Sequence, residues 1–179
     1  MASVLVPVAE GSEELEAVTL IDLLRRASFD VTVAGLAEGP VTCSRGVVLQ
    51  PDTTLAAVGD DDFDLVVLPG GAAGADRLRA DERLTTLLAR HRGADRWTGA
   101  ICAAPSVLAA HGHLAGRRAT AFPGALEAFE LDSTEAPVEI DGHVVTSRGP
   151  GTAMDFALAL IEQVGSRELR REVEARLQR

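Results

Sequence analysis

Residues 65–71 read LVVLPGG. Four consecutive apolar residues stop at a proline and two glycines. A run this short, bounded by turn residues, reads as a strand, and apolar side chains at every position imply that both of its faces are covered. The same pattern recurs on either side. Ser3–Val8 (SVLVPV) is a second buried strand, closed by Glu10-Gly11; residues 30–34 (DVTVA) are a third; Trp97–Ile101 is a fourth and stops at Cys102. Between the first two, Ala17, Leu20, Ile21 and Leu24 recur at helical spacing. Ser12 is the expected cap of that helix, Glu13 and Glu14 sit in its first turn with their carboxylates in solvent, and Arg25-Arg26 close it. Helices are also expected over residues 73–78 and 81–91, and directly after Cys102 with Pro105 in the first turn.

The remaining elements are shorter. Residues 41–51 read as a small hairpin around Ser44-Arg45-Gly46, residues 119–121 as a short strand and 123–129 as a short helix. Residues 138–140 and Val144–Ser147 flank Asp141-Gly142, a hairpin signal. Thr152 and Asp155 resemble a capping box ahead of the stripe Ala153, Phe156, Ala157, Leu160, Ile161, Val164. Ser166 caps a last helix carrying Leu169, Val173 and Leu177. Strands alternating with helices predict an α/β fold, a three-layer sandwich around a mostly parallel sheet with a small β-hairpin. In open sheets of this kind chemistry sits beyond the carboxyl ends of the strands. That directs attention to the loops 10–16, 69–74 and 102–105.

Composition bounds the rest. A chain of 179 residues with 46% apolar content fits one domain, 1–179, with a real core. No run approaches the roughly 18 apolar residues of a membrane span. The start, MASVLVPVAEG, lacks a basic segment and a long apolar one, so no secretory signal is expected. With 17 basic and 27 acidic residues the formal charge is −10, which disfavours nucleic acid as a partner. Two cysteines, Cys43 and Cys102, make neither a disulfide framework nor a CxxC site, and a reducing cytoplasm fits them. There is no P-loop, no GxGxxG, no GxSxG and no HExxH, so no cofactor and no metal are expected.

Residues 97–107 read WTGAICAAPSV. A buried strand delivers Cys102 into a helix between alanines, the geometry of a nucleophile elbow with Cys in place of Ser. Ala100, Ala103 and Ala104 supply the small neighbours that a sharp turn needs. Free N–H groups at the helix start are expected to stabilise a thiolate. A free thiol is only about 3% ionised at pH 7, and a site that lowers its pKa well below 7 makes it a standing nucleophile. Taken alone, Cys102 reads at least as well as a small buried hydrophobe. Two features shift the balance. Glu16 lies about 40° around the helix from Leu20, beside the core-facing stripe. A carboxyl there needs a partner, and in its protonated form it would donate a hydrogen bond to the sulfur, unless it simply reaches solvent. The glycines Gly70 and Gly71 either make a plain tight turn or, with the amide of Ala103, form an oxyanion hole.

The segments EGSEELEAVTLIDLLRRA (10–27), VTVAGL (31–36), VTCSRGVVLQPD (41–52), DLVVLPGG (64–71), AICAAPSVLAAHG (100–112) and TSRGPGTAMDFAL (146–158) resemble, in order and spacing, the DJ-one/ThiJ/PfpI superfamily. The resemblance covers nearly the whole chain. It is greatest to the branch containing the human Parkinson-disease protein and bacterial YajL. It implies a flavodoxin-like sandwich and a homodimer. It implies a reactive Cys102, easily oxidised to a sulfinate, beside a protonated Glu16, with the amides of Gly71 and Ala103 lining the pocket. Arg45 and Pro150 match positions near the pocket at or close to the dimer interface, and Cys43 matches a second, less reactive cysteine. One departure stands out: the human-type pattern has a histidine where this chain has Phe122, which removes a candidate acid/base group. His111 aligns with a structural helix position. The resemblance implies glyoxalase III-type conversion of small aldehydes such as methylglyoxal, release of early glycation adducts from amines and thiols, or protection under oxidative stress. The other class of reading is a non-catalytic redox sensor or holdase chaperone. A PfpI-like protease is disfavoured, because no histidine follows Cys102.

Overall fold

A computed structural model describes all of residues 1–179 and gives an α/β sandwich of flavodoxin-like type. In chain order the elements are β1 (Ser3–Val8), α1 (Glu14–Arg26), β2 (Asp30–Gly35), β3 (Val41–Thr42), β4 (Val48–Leu49), β5 (Thr53–Thr54), α2 (Leu55–Val58), β6 (Leu65–Leu68), α3 (Ala72–Ala80), α4 (Glu82–Gly93), β7 (Trp97–Ile101), α5 (Pro105–Ala110), β8 (Val138–Asp141), β9 (Val144–Ser147), α6 (Ala153–Val164) and α7 (Arg167–Leu177). The main sheet runs β5-β2-β1-β6-β7-β9-β8. All of its pairings are parallel except that of β8 with β9. The β3–β4 hairpin forms a separate antiparallel pair.

Strand side chains alternate between two cores. Val4, Val6, Leu65, Val67 and Ile101 pack with α1, α6 and α7 on one face. Leu5, Val66, Leu68 and Ala100 pack with α2 to α5 on the other. This is why β6 is apolar at every position: all four of its residues are buried. The chain runs outward from β1 to β2 on one side and from β6 to β7 on the other. The sheet order therefore reverses between β1 and β6, and a crevice opens above their carboxyl ends. No helix is long and apolar enough to cross a membrane. No three His, Cys, Asp or Glu side chains come together to hold a metal ion.

Several local expectations change. Helix α1 is capped by Glu13, whose carboxylate accepts from the Glu16 amide at 2.8 Å. Ser12 is buried and accepts from the Ala9 amide at 3.0 Å instead. Residues 119–121 form no strand, only a single bridge from Ala119 to Ser133. Within 123–129 just Glu127–Phe129 is helical, and only as a 3-10 turn. Thr152 makes no side-chain cap, because its hydroxyl lies 2.7 Å from Ser147 Oγ and bonds the Gly149 carbonyl at 2.9 Å. The sequence reading had no β5 and no α2, which are two and four residues long.

Candidate active site

Strand β7 ends at Ile101, and the next residue turns sharply. Cys102 has φ +63°, a left-handed conformation that a non-glycine residue adopts only under constraint. The constraint is visible on both sides. The Cys102 amide donates to the Ser147 carbonyl at 3.0 Å, and its carbonyl accepts from the Phe122 amide at 2.9 Å. Small neighbours permit the turn: Ala100 and Ala104 are wholly buried against it. Helix α5 starts three residues later and has only six residues, with Pro105 in its first turn. The expected helix-end stabilisation of the sulfur is therefore replaced by two loop amides beside it, those of Gly71 and Ala103, which favour its ionised form.

Glu16 comes from α1 and is fully buried. Its Oε2 accepts from the Gly70 amide at 2.8 Å. Its Oε1 has no hydrogen-bond partner, although the Cys102 thiol is near enough to interact with the carboxyl. An orphaned carboxylate oxygen in a dry site is costly, whereas a protonated one carries a hydrogen that needs an acceptor such as sulfur. Burial pushes Glu16 up to about 7, against the pull of the Gly70 amide and the Cys102 thiol. Burial also pushes the Cys102 thiol up, to about 12, and an ionised Glu16 adds to this while the Gly71 and Ala103 amides oppose it. The expectation that the turn by itself makes a low-pKa thiol thus gives way to a coupled pair. Cys102 and Glu16 resist ionising together, because each negative charge disfavours the other. When the proton sits on Glu16 the repulsion disappears and the carboxyl can donate to the thiolate.

The glycines are required by close approach rather than by a turn alone. A Cβ on Gly70 would lie 2.5 Å from Glu16 Oε2 and 2.6 Å from Cys102 Cβ. Gly71 has φ +89°, and a Cβ there would overlap the Gly11 carbonyl. Their amides divide the work: that of Gly70 is committed to Glu16 and is not free for an oxyanion, while those of Gly71 and Ala103 face the sulfur.

Above the sulfur a cleft of about 840 Å³ brings together Cys102, Ala103, Gly71, Arg45, Phe122 and Pro150. Glu16 and Gly70 lie behind its wall. Phe122 is half-exposed at 51%. His111 is elsewhere, its Nε2 at 3.2 Å from both Thr85 Oγ1 and the Arg79 carbonyl. Cys43 also lines the cleft, but burial and then the charges of Glu14, Glu13 and Glu10 push its thiol up to about 11. Glu14 is the residue that sequence reasoning misplaced. It is buried, and it accepts from Ser44 Oγ at 2.9 Å and the Arg45 amide at 2.8 Å, tying the β3–β4 hairpin to α1. Burial alone would raise its pKa, but its backbone and Ser44 hydrogen bonds outweigh that and hold the carboxyl below its usual range. The expectation of a solvated Glu14 rests on the usual behaviour of helical glutamates, and a hairpin later in the chain folds over it.

Comparison with known proteins agrees with this arrangement. Residues 2–163 match the model of the DJ-1/PfpI family. The chain is 44% identical over 168 residues to Protein DJ-1 homolog B of Arabidopsis thaliana, covering 92% of this chain but only 38% of the plant protein. It is 43% identical over 175 residues to Protein dj-1beta of Drosophila melanogaster, covering 96% of this chain and 94% of the fly protein. It is 36% identical over 166 residues to the glutathione-independent glyoxalase DJR-1.2 of Caenorhabditis elegans, covering 90% and 87% of the two chains. Among solved structures, oxidized Toxoplasma gondii DJ-1 superposes with a TM-score of 0.95 at 39% identity over 99% of this chain and 98% of that one.

Proposed function

The chain belongs to the DJ-1/PfpI family, and from that premise we propose that it is a cysteine-dependent stress-response protein acting on reactive dicarbonyls or their early glycation adducts, with Cys102 as nucleophile. One observation carries the reading: a strained Cys102 stands beside a fully buried Glu16, whose proton burial retains, at the base of an open cleft. The chain contains no lysine, so side-chain imine chemistry has no amine to use and the thiol is left as the carbonyl-attacking group. The glyoxalase activity named for the nematode relative supports the same chemistry.

For methylglyoxal the steps are as follows. The Cys102 thiolate adds to the aldehyde carbon and forms a hemithioacetal. The amides of Gly71 and Ala103 hold the new oxyanion. Glu16 gives its proton to that oxygen and, now a carboxylate, takes the proton from the same carbon and returns it to the adjacent carbon, which converts the hemithioacetal to a thioester. Water cleaves the thioester, giving lactate and the free thiol. One water is consumed, and the oxidation of one carbon balances the reduction of its neighbour. Positioned proton transfer contributes about 10²–10⁴-fold, so Phe122 in the histidine's place leaves turnover slow rather than absent. Lactate release by wild type, Cys102→Ser and Glu16→Gln tests the reading. Loss in both variants supports it, and full turnover by Cys102→Ser overturns it.

A second reading has its own support. Amides aimed at the sulfur, with a protonatable carboxyl beside it, also suit the oxygens of a cysteine sulfinate, and the Toxoplasma relative is described in an oxidized state. In a redox sensor or holdase, mild peroxide adds two oxygens to Cys102, abolishes any turnover and improves suppression of aggregation. We further propose a single domain over 1–179, a homodimer, a reducing cytoplasmic setting for its two free thiols, and a place on the branch of the human Parkinson-disease protein and YajL. Exposed Leu15, Val18, Val47 and Val48 on α1 and the hairpin supply an apolar face for the dimer.

A further inference from the structure

Two cations of the cleft, Arg45 and Arg77, form no ion pair with its two carboxylates, Glu10 and Glu13. Arg45 lies between β3 and β4, Arg77 lies on α3, and both line the space above Cys102. All ion pairs of the fold are made by other basic residues. On a chain of net charge −10, where carboxylates outnumber cations, two unpaired guanidinium groups in one cleft call for a reason.

Arg77 is also held in place. Its Nη1 donates to the Glu10 carbonyl at 3.1 Å and the Ala73 carbonyl at 3.2 Å. Those bonds use one end of the guanidinium and leave Nη2 and Nε without an acceptor. A planar fork pinned at one end is suited to paired hydrogen bonds with a carboxylate or phosphate. The two acids of the cleft keep their charge but point one oxygen each at a backbone amide and not at an arginine: Glu10 Oε1 accepts from the Thr42 amide at 3.0 Å and Glu13 Oε2 from the Glu16 amide at 2.8 Å. The cleft of about 840 Å³ falls in the range that takes drug-sized ligands, far more than a three-carbon dicarbonyl fills.

We propose that Arg77, together with Arg45, forms a subsite for an anionic group, so that the carbonyl compound taken at Cys102 carries a carboxylate or a phosphate. This rests on the reading of Cys102 as the nucleophile. The two cations also balance the charges of Glu10 and Glu13, which together with the Cys102–Glu16 pair would otherwise repel an anionic ligand.

Two measurements test the subsite and the nucleophile separately. The first is calorimetric titration of Cys102→Ser, which cannot react, with glyoxylate and, separately, with inorganic phosphate. Binding of glyoxylate alone identifies a carboxylate subsite, and binding of phosphate alone a phosphate subsite. Arg77→Met is expected to weaken the binding about tenfold, the loss of a charge-assisted pair. Equal affinity with and without Arg77, or no binding of either anion, overturns the proposal. The second compares alkylation of Cys102 by iodoacetate, an anion, and iodoacetamide, its neutral analogue. Arg77→Met is expected to lower the ratio of the two rates, and an unchanged ratio overturns the subsite while leaving the nucleophile intact. Resistance of Cys102 to both reagents, with anion binding still dependent on Arg77, overturns the nucleophile and leaves the subsite standing.

Discussion

Cys102 and Glu16 sit on different elements, and the proton they exchange sets when the sulfur reacts. Both were legible in the sequence, because each signal is local: a strand that runs straight into Cys102, and a carboxylate one helical turn before Leu20. Their coupling was not legible, because it needs α1, β7 and the loop after β6 in one place. The coupling has a pH signature. With burial holding Glu16 near 7, the pair loses its first proton around that pH, and thiolate becomes available there through the tautomer with Glu16 protonated. The rate of Cys102 alkylation by iodoacetamide is therefore expected to rise through about pH 7 in the wild type. In Glu16→Gln that step disappears and only the thiol's own, more alkaline titration remains. Methylglyoxal turnover in the same variant is expected to fall at least about 10²-fold, the usual value of a lost positioned acid/base. Identical alkylation profiles in the two proteins would show that the carboxyl plays no part in ionising the sulfur.

At the scale of elements, short apolar strands and striped helices read well, while features made by contact between distant segments did not. Strands β1, β6 and β7 and the two hairpins fall close to where their patterns put them, since each is marked locally by a short apolar run bounded by turn residues or by a turn signal. The stretch at 119–121 has strand composition but pairs through one bridge only. The hairpin over Glu14 is the functional counterpart. Its strands have two residues each, too few to persist alone, and Glu14 supplies much of the anchorage by accepting from Ser44 and Arg45. Replacing Glu14 with Ala leaves those donors without their acceptor. Hydrogen exchange at the Arg45 and Val47 amides is then expected to accelerate, while amides in β1 and β6 keep their protection. Glu14→Gln, which keeps one acceptor, is expected to restore part of it. Uniform acceleration across the sheet would mean global destabilisation and no specific anchoring.

For the whole molecule, the exposed apolar face is the first feature that a single chain leaves unexplained. Val48 is 59% exposed and Leu15 51%, on neighbouring parts of the hairpin and α1. If that face joins two copies, Val48→Asp places charges opposite one another in a symmetric contact. Light scattering is expected to report a dimer for the wild type and a monomer for Val48→Asp. A wild-type monomer would remove the homodimer from the proposal.

Titration of the core shows how opposing local environments combine in one stability curve. Burial holds Glu16 up, from 4.5 to about 7, so the folded protein keeps a proton that the unfolded chain releases. Its contribution is fully present below about pH 4.5 and is lost as the pH rises through 7. Burial holds His113 down, from 6.5 to about 4, with the Arg92 cation adding to the effect. Here the unfolded chain takes up the proton first, so stability is full above about 6.5 and is lost as the pH falls toward 4. Each effect is worth at most about 3 kcal/mol, and between pH 4.5 and 6.5 their slopes have opposite signs. The wild type is therefore expected to change little in stability across that interval on their account. Glu16→Gln removes the falling limb and leaves stability that climbs with pH, whereas His113→Gln removes the rising limb and leaves stability that declines. His91, also pushed down by burial, adds the same upward slope to all three proteins, so the comparison lies in the differences between them. Urea denaturation at several pH values in this interval provides the check. Parallel curves for the two variants would mean that neither buried group holds the protonation state its surroundings dictate, and the neutral Glu16 on which the chemistry of Cys102 depends would go with them.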